Sequence, residues 1–203
     1  MTSLSPKQRR KAVGVAGHTG DSDTARAGLT DTDAATRVAA LRSLQRLAEL
    51  TAHELESALS DPAAPVRVTA LEVAASWAVP PITPLLSDPD PMVVESAAWA
   101  LGERADTSAA TIDALIAVAG DHDDPLAREA AVAALGAIGN ERGLPAVLAA
   151  TTDKPAIRRR AVISLVAFEG PDVDAAWVRA RTDRDRQVRD AVEELLGPED
   201  DED

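Results

Sequence analysis

A short motif recurs along the chain at intervals of about thirty residues. Each copy has an acidic or polar turn, a small apolar residue and Arg, then Ala or Val, and finally a small residue followed by Leu. Val94 replaces the Arg in the third copy. In the other copies the Arg is Arg37, Arg67, Arg128, Arg158 and Arg189. Periods of about 20–50 residues are typical of stacked supersecondary units. About thirty residues suffice for two short antiparallel helices and their turns, so the motif predicts a series of helical hairpins.

The spacing of apolar residues predicts that the motif is itself a helix. In "DPDPMVVESAAWALGE", Val93, Ala97, Ala100 and Leu101 recur with the period of one helix face. The preceding Asp-Pro supplies an acceptor for the free N–H groups of the first turn and a residue that has no N–H to lose. No segment of the sequence shows the sustained alternation of a strand. We therefore expect an all-α chain in which the motif forms the second helix of each hairpin.

The N-terminal segment also predicts a helix, because Ser5 and Gln8 have the spacing of a capping box and Pro6 occupies the first helical position. We interpret residues 5–21 as a capping helix within a single domain over 1–196. The hairpins are expected at approximately 22–49, 50–79, 80–105, 106–139, 140–169 and 170–196. Prolines crowd residues 80–84, so we expect a short or irregular helix there. The acidic segment 197–203 is expected to be disordered.

Two segments, "DPDPMVVESAAWALGE" and "DDPLAREAAVAALGAIGN", resemble HEAT repeats, in the short form also found in bilin-lyase-like HEAT proteins. The resemblance covers roughly residues 22–196 and implies a right-handed αα-superhelix, or α-solenoid. Such a fold would contain about six short helical hairpins after the N-terminal capping helix. The family is mostly a scaffold class, so the resemblance implies a fold more specifically than a function.

The same resemblance implies a structural ladder, because the turn Asp and the helix Arg of such repeats tend to bond across neighbouring units. Val94 would interrupt the ladder at the third unit. Its acidic members would be Asp31, Asp61, Asp88, Asp153 and Asp183. Its basic members would be Arg37, Arg67, Arg128, Arg158 and Arg189.

The composition of the chain excludes several classes of protein. The chain has no Cys, which excludes disulfides and thiolate chemistry. No apolar run approaches the roughly 20 residues that span a bilayer, and no apolar signal region follows the basic N-terminus, so we expect a cytoplasmic protein without a membrane partner. Residues 48–153 carry four basic and 17 acidic side chains, whereas the net charge is positive over 1–47 and 154–189. This acidic belt serves solubility or, alternatively, attracts a basic partner.

Trp99 is the first candidate for a binding site, because the helical pattern turns Ala97, Ala100 and Leu101 inward but not Trp99. On the concave face of a solenoid, Trp99, Ala133 and Ile163 would form an apolar strip. Its flanking residues would be Glu95 and Glu129 on one side and Arg159 and Arg160 on the other. The alternative is that Trp99 folds over a neighbouring helix as ordinary packing.

Rival functions have weaker support in the sequence. The run Arg158 to Arg160 resembles a phosphate-binding patch, but the acidic middle of the chain disfavours nucleic acid. The three histidines are far apart, and we find no phosphate loop, dinucleotide fingerprint or nucleophile elbow. We therefore predict a non-enzymatic scaffold or adaptor, monomeric alone, without a metal or cofactor. It would bind a protein or peptide on its concave face, and a basic one if the acidic belt attracts the partner. The alternatives are a nucleic-acid-binding or DNA-repair HEAT-like protein and a bilin-lyase-like accessory subunit.

Overall fold

The computed structural model describes residues 4–197 of the protein. Within that range the regular elements are helices, and no strand occurs, which confirms the predicted all-α class. The chain divides into two compact units, Met1–Ile82 and Thr83–Asp203. The extent of one domain over 1–196 therefore stays a prediction. The predicted disorder falls on residues that, except for Gly197, lie outside the described range.

Five α-helices build the first unit, and alternate helices pack side by side. Helices α1, α3 and α5 form one row, while α2 and α4 pack against α3 and α5 respectively. A short 3-10 helix, Gly28–Thr30, follows α2. The bounds of the five helices are α1 Pro6–Thr19, α2 Ser22–Ala27, α3 Ala34–Leu47, α4 Ala52–Leu59 and α5 Ala64–Ala74.

The second unit begins with a 3-10 helix, Thr83–Ser87, in the segment where prolines predicted a short or irregular helix. Helices α6, α8, α10 and α12 form a row like that of the first unit, and α7, α9 and α11 complete the hairpins. The bounds of the seven helices are α6 Pro91–Glu103, α7 Ala109–Asp121, α8 Pro125–Ile138, α9 Leu144–Ala150, α10 Pro155–Ser164, α11 Pro171–Arg181 and α12 Arg186–Leu196.

Buried arginine forks join the hairpins within each unit. Nε and Nη2 of Arg37 donate to the carboxylate of Asp61 at 2.7 and 2.6 Å, and Nη1 donates to the carbonyl oxygen of Asp31 at 2.8 Å. The same fork joins Arg128 to Asp153 and Arg158 to Asp183. These hydrogen bonds lower the pKa values of Asp153 and Asp183. Each fork connects two successive hairpins and leaves its arginine unavailable to an external ligand.

One further fork was not predicted. Arg9 in α1 donates to Asp31 at 2.6 and 2.9 Å, and this hydrogen bond lowers the pKa of Asp31 to about 2. The signal was present in the sequence, because Arg9 follows Pro6 at the same distance as Arg128 follows Pro125 at the start of α8. Helix α1 thus begins in the same way as the motif helices.

The remaining predicted ladder residues also lie at the turns. Nη1 of Arg67 donates to the carbonyl oxygen of Asp61 at 2.8 Å, and Nη1 of Arg189 donates to that of Asp183 at 2.6 Å. Asp88 accepts the N–H of Asp90 at 2.9 Å. The predicted forks and these backbone contacts therefore both involve the turn that precedes a motif helix.

The interruption at Val94 has a counterpart in the next turn. Val94 is completely buried on α6, and His122 stands where other turns have the fork-accepting aspartate. His122 Nδ1 accepts the N–H of Asp124 at 3.1 Å, and its carbonyl oxygen accepts Nη1 of Arg128 at 2.7 Å. Where Val94 replaces the arginine, His122 replaces the aspartate that would have accepted its hydrogen bonds. The pair of positions therefore buries no unpaired charge.

Glycine–serine pairs set the closest approach between motif helices. Ser43 Oγ donates to the carbonyl oxygen of Val13 at 2.9 Å, and a Cβ added to Gly17 would lie 2.6 Å from Ser43 Oγ. Gly136 and Ser164 repeat this arrangement between α8 and α10, where an added Cβ would lie 2.5 Å from Ser164 Cβ. The missing side chains allow neighbouring motif helices to pack closely.

Candidate partner-binding groove

Trp99 lies on the exposed side of α6. Its neighbours Ala98 and Ala100 are completely buried, whereas Trp99 itself is 46% exposed. Asp90 caps the helix by accepting the N–H of Met92 at 3.0 Å, and Pro91 occupies the first turn. The indole is therefore held on a firmly anchored helix and presents a large apolar surface to solvent.

A groove of about 530 Å³ lies beside Trp99. On its inner side α6 and α8 approach closely, because a Cβ added to Gly102 would lie 3.0 Å from Ala134 Cα. The exposed side chains of Trp99 and Leu126 also line the groove, together with several alanines. We call this surface the Trp99 groove. Its lining is Glu95, Trp99, Gly102, Glu103, Leu126, Glu129, Ala130, Ala133, Ala134, Ala137 and Arg160.

The Trp99 groove is acidic as well as apolar. Glu95, Glu103 and Glu129 contribute carboxylates, and Arg160 contributes one guanidinium. Arg160 Nε lies 3.6 Å from Glu129 Oε1, and the side chains are 39% and 25% exposed. Such a partly exposed pair contributes little stability. A cation that enters the groove would therefore meet carboxylates and an indole, which is the best aromatic partner for a cation.

The structure brings together five of the predicted binding residues and separates two. Glu95, Trp99, Glu129, Ala133 and Arg160 line the Trp99 groove. The other two, Arg159 and Ile163, line an adjacent concavity of about 420 Å³ between α10 and α12. The predicted strip therefore spans two neighbouring depressions of the second unit.

Sequence reasoning missed Glu103 and Leu126 as lining residues. Glu103 lies one helical turn after Trp99, as Glu95 lies one turn before it, so the spacing of four residues would have identified it. Leu126 gives no comparable signal, because an apolar residue at the start of a helix is most often buried. Its 55% exposure depends on how α8 packs against α6.

The arginine-rich segment offers fewer free cations than its composition indicates. Arg158 is only 5% exposed and is bound to Asp183. Arg186 lies 3.3 Å from Asp190 on α12, but these side chains are 83% and 56% exposed, so that pair is weak. Across residues 4–197, no group of three or more His, Asp or Glu side chains has the arrangement of a metal site. None of the helices in the same range is long and apolar enough for a bilayer crossing.

Comparison with known proteins supports the repeat interpretation. A family model described as HEAT repeats matches residues 52–136, 79–164 and 112–197. No curated protein sequence is significantly similar to the chain.

Solved structures share the fold at low sequence identity. The X-ray structure of Escherichia coli YibA has a TM-score of 0.66 at 15% identity, and the match covers 95% of this chain and 75% of YibA. A designed armadillo repeat protein in complex with the peptide (KR)4 has a TM-score of 0.58 at 16% identity, covering 93% of this chain and 97% of the design. Human deoxyhypusine hydroxylase has a TM-score of 0.50 at 18% identity, covering 80% of this chain and 68% of the enzyme. These matches show that the chain has a helical-repeat fold, and one of them shows that this fold also occurs in an enzyme.

Proposed function

The chain belongs to the HEAT-repeat family, and from this premise we propose that it is a non-enzymatic binding scaffold that holds a partner protein or peptide in the Trp99 groove. Stacked repeats generate extended surfaces that bind partners. The observation that supports this site is the half-exposed indole of Trp99 among three carboxylates. Tryptophan is among the residues that most often dominate binding energy at interfaces.

The proposed partner segment carries basic and apolar side chains. Lysine or arginine would lie over the indole and near Glu95 and Glu103, while short apolar side chains would contact Leu126 and the alanines of α8. The designed armadillo protein with the same fold binds a peptide of alternating Lys and Arg, so a repeat surface of this kind can accept such a ligand. Electrostatic attraction from the acidic belt would increase the association rate.

A titration with a fluorescent peptide of alternating Lys and Arg tests the proposal. Trp99→Ala should weaken binding about thirtyfold or more, since a central interface tryptophan contributes roughly 2 kcal/mol or more. Its Tm should change little, because Trp99 is half-exposed. Raising the salt concentration should weaken binding by the wild-type protein.

Met92→Ala provides a matched control. Met92 lies on the same helix, is 63% exposed and does not line the Trp99 groove, so its variant should bind like the wild type. Equal loss of binding in both variants, or full binding by Trp99→Ala, would contradict the proposed site. Tighter binding of duplex DNA than of the peptide, with DNA displacing the peptide, would favour a nucleic-acid function instead.

A further inference from the structure

A second groove, in the first unit, lies between α1 and α3 and has a volume of about 660 Å³. Its floor consists mainly of small apolar residues, among them Gly14, Ala35 and Val38. Arg10 and His18 line it from α1, and Arg42 and Arg46 line it from α3. We call this surface the α1–α3 groove. It shares no residue with the Trp99 groove, which lies wholly in the second unit.

The cations of the α1–α3 groove are available to a ligand. Arg10 and Arg46 are exposed, and neither forms an ion pair with any residue of the described range. Arg42 lies 3.4 Å from Glu72, but the two side chains are 57% and 48% exposed, so this pair is weak and readily exchanged. No carboxylate lines the groove within residues 4–197. The groove therefore presents a net positive charge beside apolar residues.

The two grooves occupy equivalent places in the repeat. Counted from the fork position, Arg9 in α1 corresponds to Val94 in α6, so Arg10 stands where α6 has Glu95. By the same count, Gly14 stands where α6 has Trp99.

This correspondence continues to the next turn of the helix, where His18 replaces Glu103. Gly17 and Gly102 also correspond, and both lie at the close crossing with the next motif helix. One surface of the fold thus appears twice in the chain, with opposite charge and with the large indole replaced by hydrogen.

Gly14 deepens the α1–α3 groove without serving the packing of the unit. A Cβ added to Gly14 would meet no heavy atom within 4 Å, whereas one added to Gly17 would collide with Ser43. Glycine inside a helix destabilises it relative to alanine. The fold gains nothing from Gly14, but a ligand chain that enters the groove gains a close approach to the helix.

We propose that the α1–α3 groove binds an acidic peptide segment with apolar side chains between its carboxylates. Carboxylates would pair with Arg10, Arg42 and Arg46, whose planar guanidinium groups favour bidentate binding. Apolar side chains would fill the floor over Gly14 and Val38. A peptide fits this surface better than a single-stranded nucleic acid does, because among the described residues no Phe, Tyr or Trp side chain lines the groove to stack against a base. The chain is then an adaptor with one groove for a basic segment and another for an acidic one.

The test uses the full-length chain and a fluorescent synthetic peptide that alternates Glu pairs with Leu-Ala pairs. Gly14→Leu should weaken binding about tenfold or more, because leucine fills the floor, while the Tm stays equal or rises. Gly120→Leu is the matched control. A Cβ at Gly120 also meets nothing within 4 Å, and this residue lines neither groove, so its variant should bind like the wild type.

A second variant tests charge independently of shape. Arg10→Ala combined with Arg46→Ala should also weaken binding about tenfold or more, whereas Trp99→Ala should leave it unchanged. The proposal is overturned if the wild type does not bind the peptide, or if it binds a lysine-for-glutamate version equally well. Full binding by Gly14→Leu or by the double arginine variant overturns it too. Displacement of the peptide by a more tightly bound DNA duplex would assign the groove to nucleic acid and also overturn it.

Discussion

Removal of the carboxylate of Asp183 should destabilise the second unit strongly. Asp183 accepts Nη2 and Nε of Arg158 at 2.7 and 2.9 Å, and it accepts the N–H of Asp185 at 2.7 Å. The side chains of Arg158 and Asp183 are only 6% and 16% exposed. Asp183→Ala would leave the buried guanidinium with one bond, to the carbonyl oxygen of Asp153 at 2.9 Å.

The expected loss follows from those contacts. Breaking a buried pair by removing one partner costs roughly 3–5 kcal/mol. Because Arg158 keeps its bond to a carbonyl oxygen, we expect the lower end, about 3 kcal/mol. Urea denaturation followed by circular dichroism should show the midpoint lowered by about 1 M or more, given slopes of roughly 1–3 kcal/mol per molar.

The pair formed by Asp113 and Arg142 supplies an exposed control. Nη2 of Arg142 donates to Asp113 at 2.8 Å and Nε lies 2.6 Å from the same carboxylate, but the side chains of Asp113 and Arg142 are 50% and 57% exposed. Asp113→Ala should therefore cost less than about 1 kcal/mol. If Asp183→Ala and Asp113→Ala cost the same small amount, burial does not strengthen the fork, and the structural role assigned to the ladder is wrong.

Three further substitutions test the ladder and the helix crossings. The arginine fork holds the pKa of Asp31 at about 2, below an unfolded value of roughly 3.9. The ionised carboxylate therefore stabilises the fold at neutral pH, and this stabilisation is lost as pH falls from about 4 toward 2. Asp31→Asn should flatten that part of a curve of stability against pH, and an unchanged acid limb would contradict this. Gly136→Ala should lower stability by roughly 1–3 kcal/mol because of the contact with Ser164, and by less in a Ser164→Gly background; thermal denaturation would expose an equal loss in both backgrounds. Val94→Arg should be severely destabilising alone, and His122→Asp should recover roughly 1 kcal/mol or more of that loss. A double-mutant cycle measured by urea denaturation that shows no coupling would reject the proposed correspondence of the two positions.

Local chemistry explains how much of the fold was predictable. The caps at Asp90 and Asp124, the prolines of the first turns and the helix period are all properties of a few consecutive residues, so the sequence identifies the motif helices. The forks were expected from resemblance to HEAT repeats, since their partners lie about 25 residues apart and no local rule joins them. Arg9 was overlooked because α1 was interpreted as a cap, although it carries the same Pro-to-Arg spacing as α8.

The candidate sites were less predictable, because grooves depend on distances between helices. The helical period indicated that Trp99 turns outward, but it did not indicate that Leu126 would be exposed opposite it or that Arg159 would line a different depression. The α1–α3 groove was not predicted at all. Its depth arises from the lack of a side chain at Gly14, and a glycine within a helix gives no sign in the sequence of whether a neighbour fills the space.

The most direct test of the central claim, that a basic segment binds in the Trp99 groove, is the fluorescence of a protein in which Trp99 is the single tryptophan. Trp77 and Trp177 are replaced by phenylalanine, and the Lys-Arg peptide is titrated into this variant. Binding in the Trp99 groove should produce a saturable change in the emission of Trp99, with the same midpoint as the anisotropy of the labelled peptide. Saturable binding of the peptide without any change in that emission would show that the partner binds elsewhere.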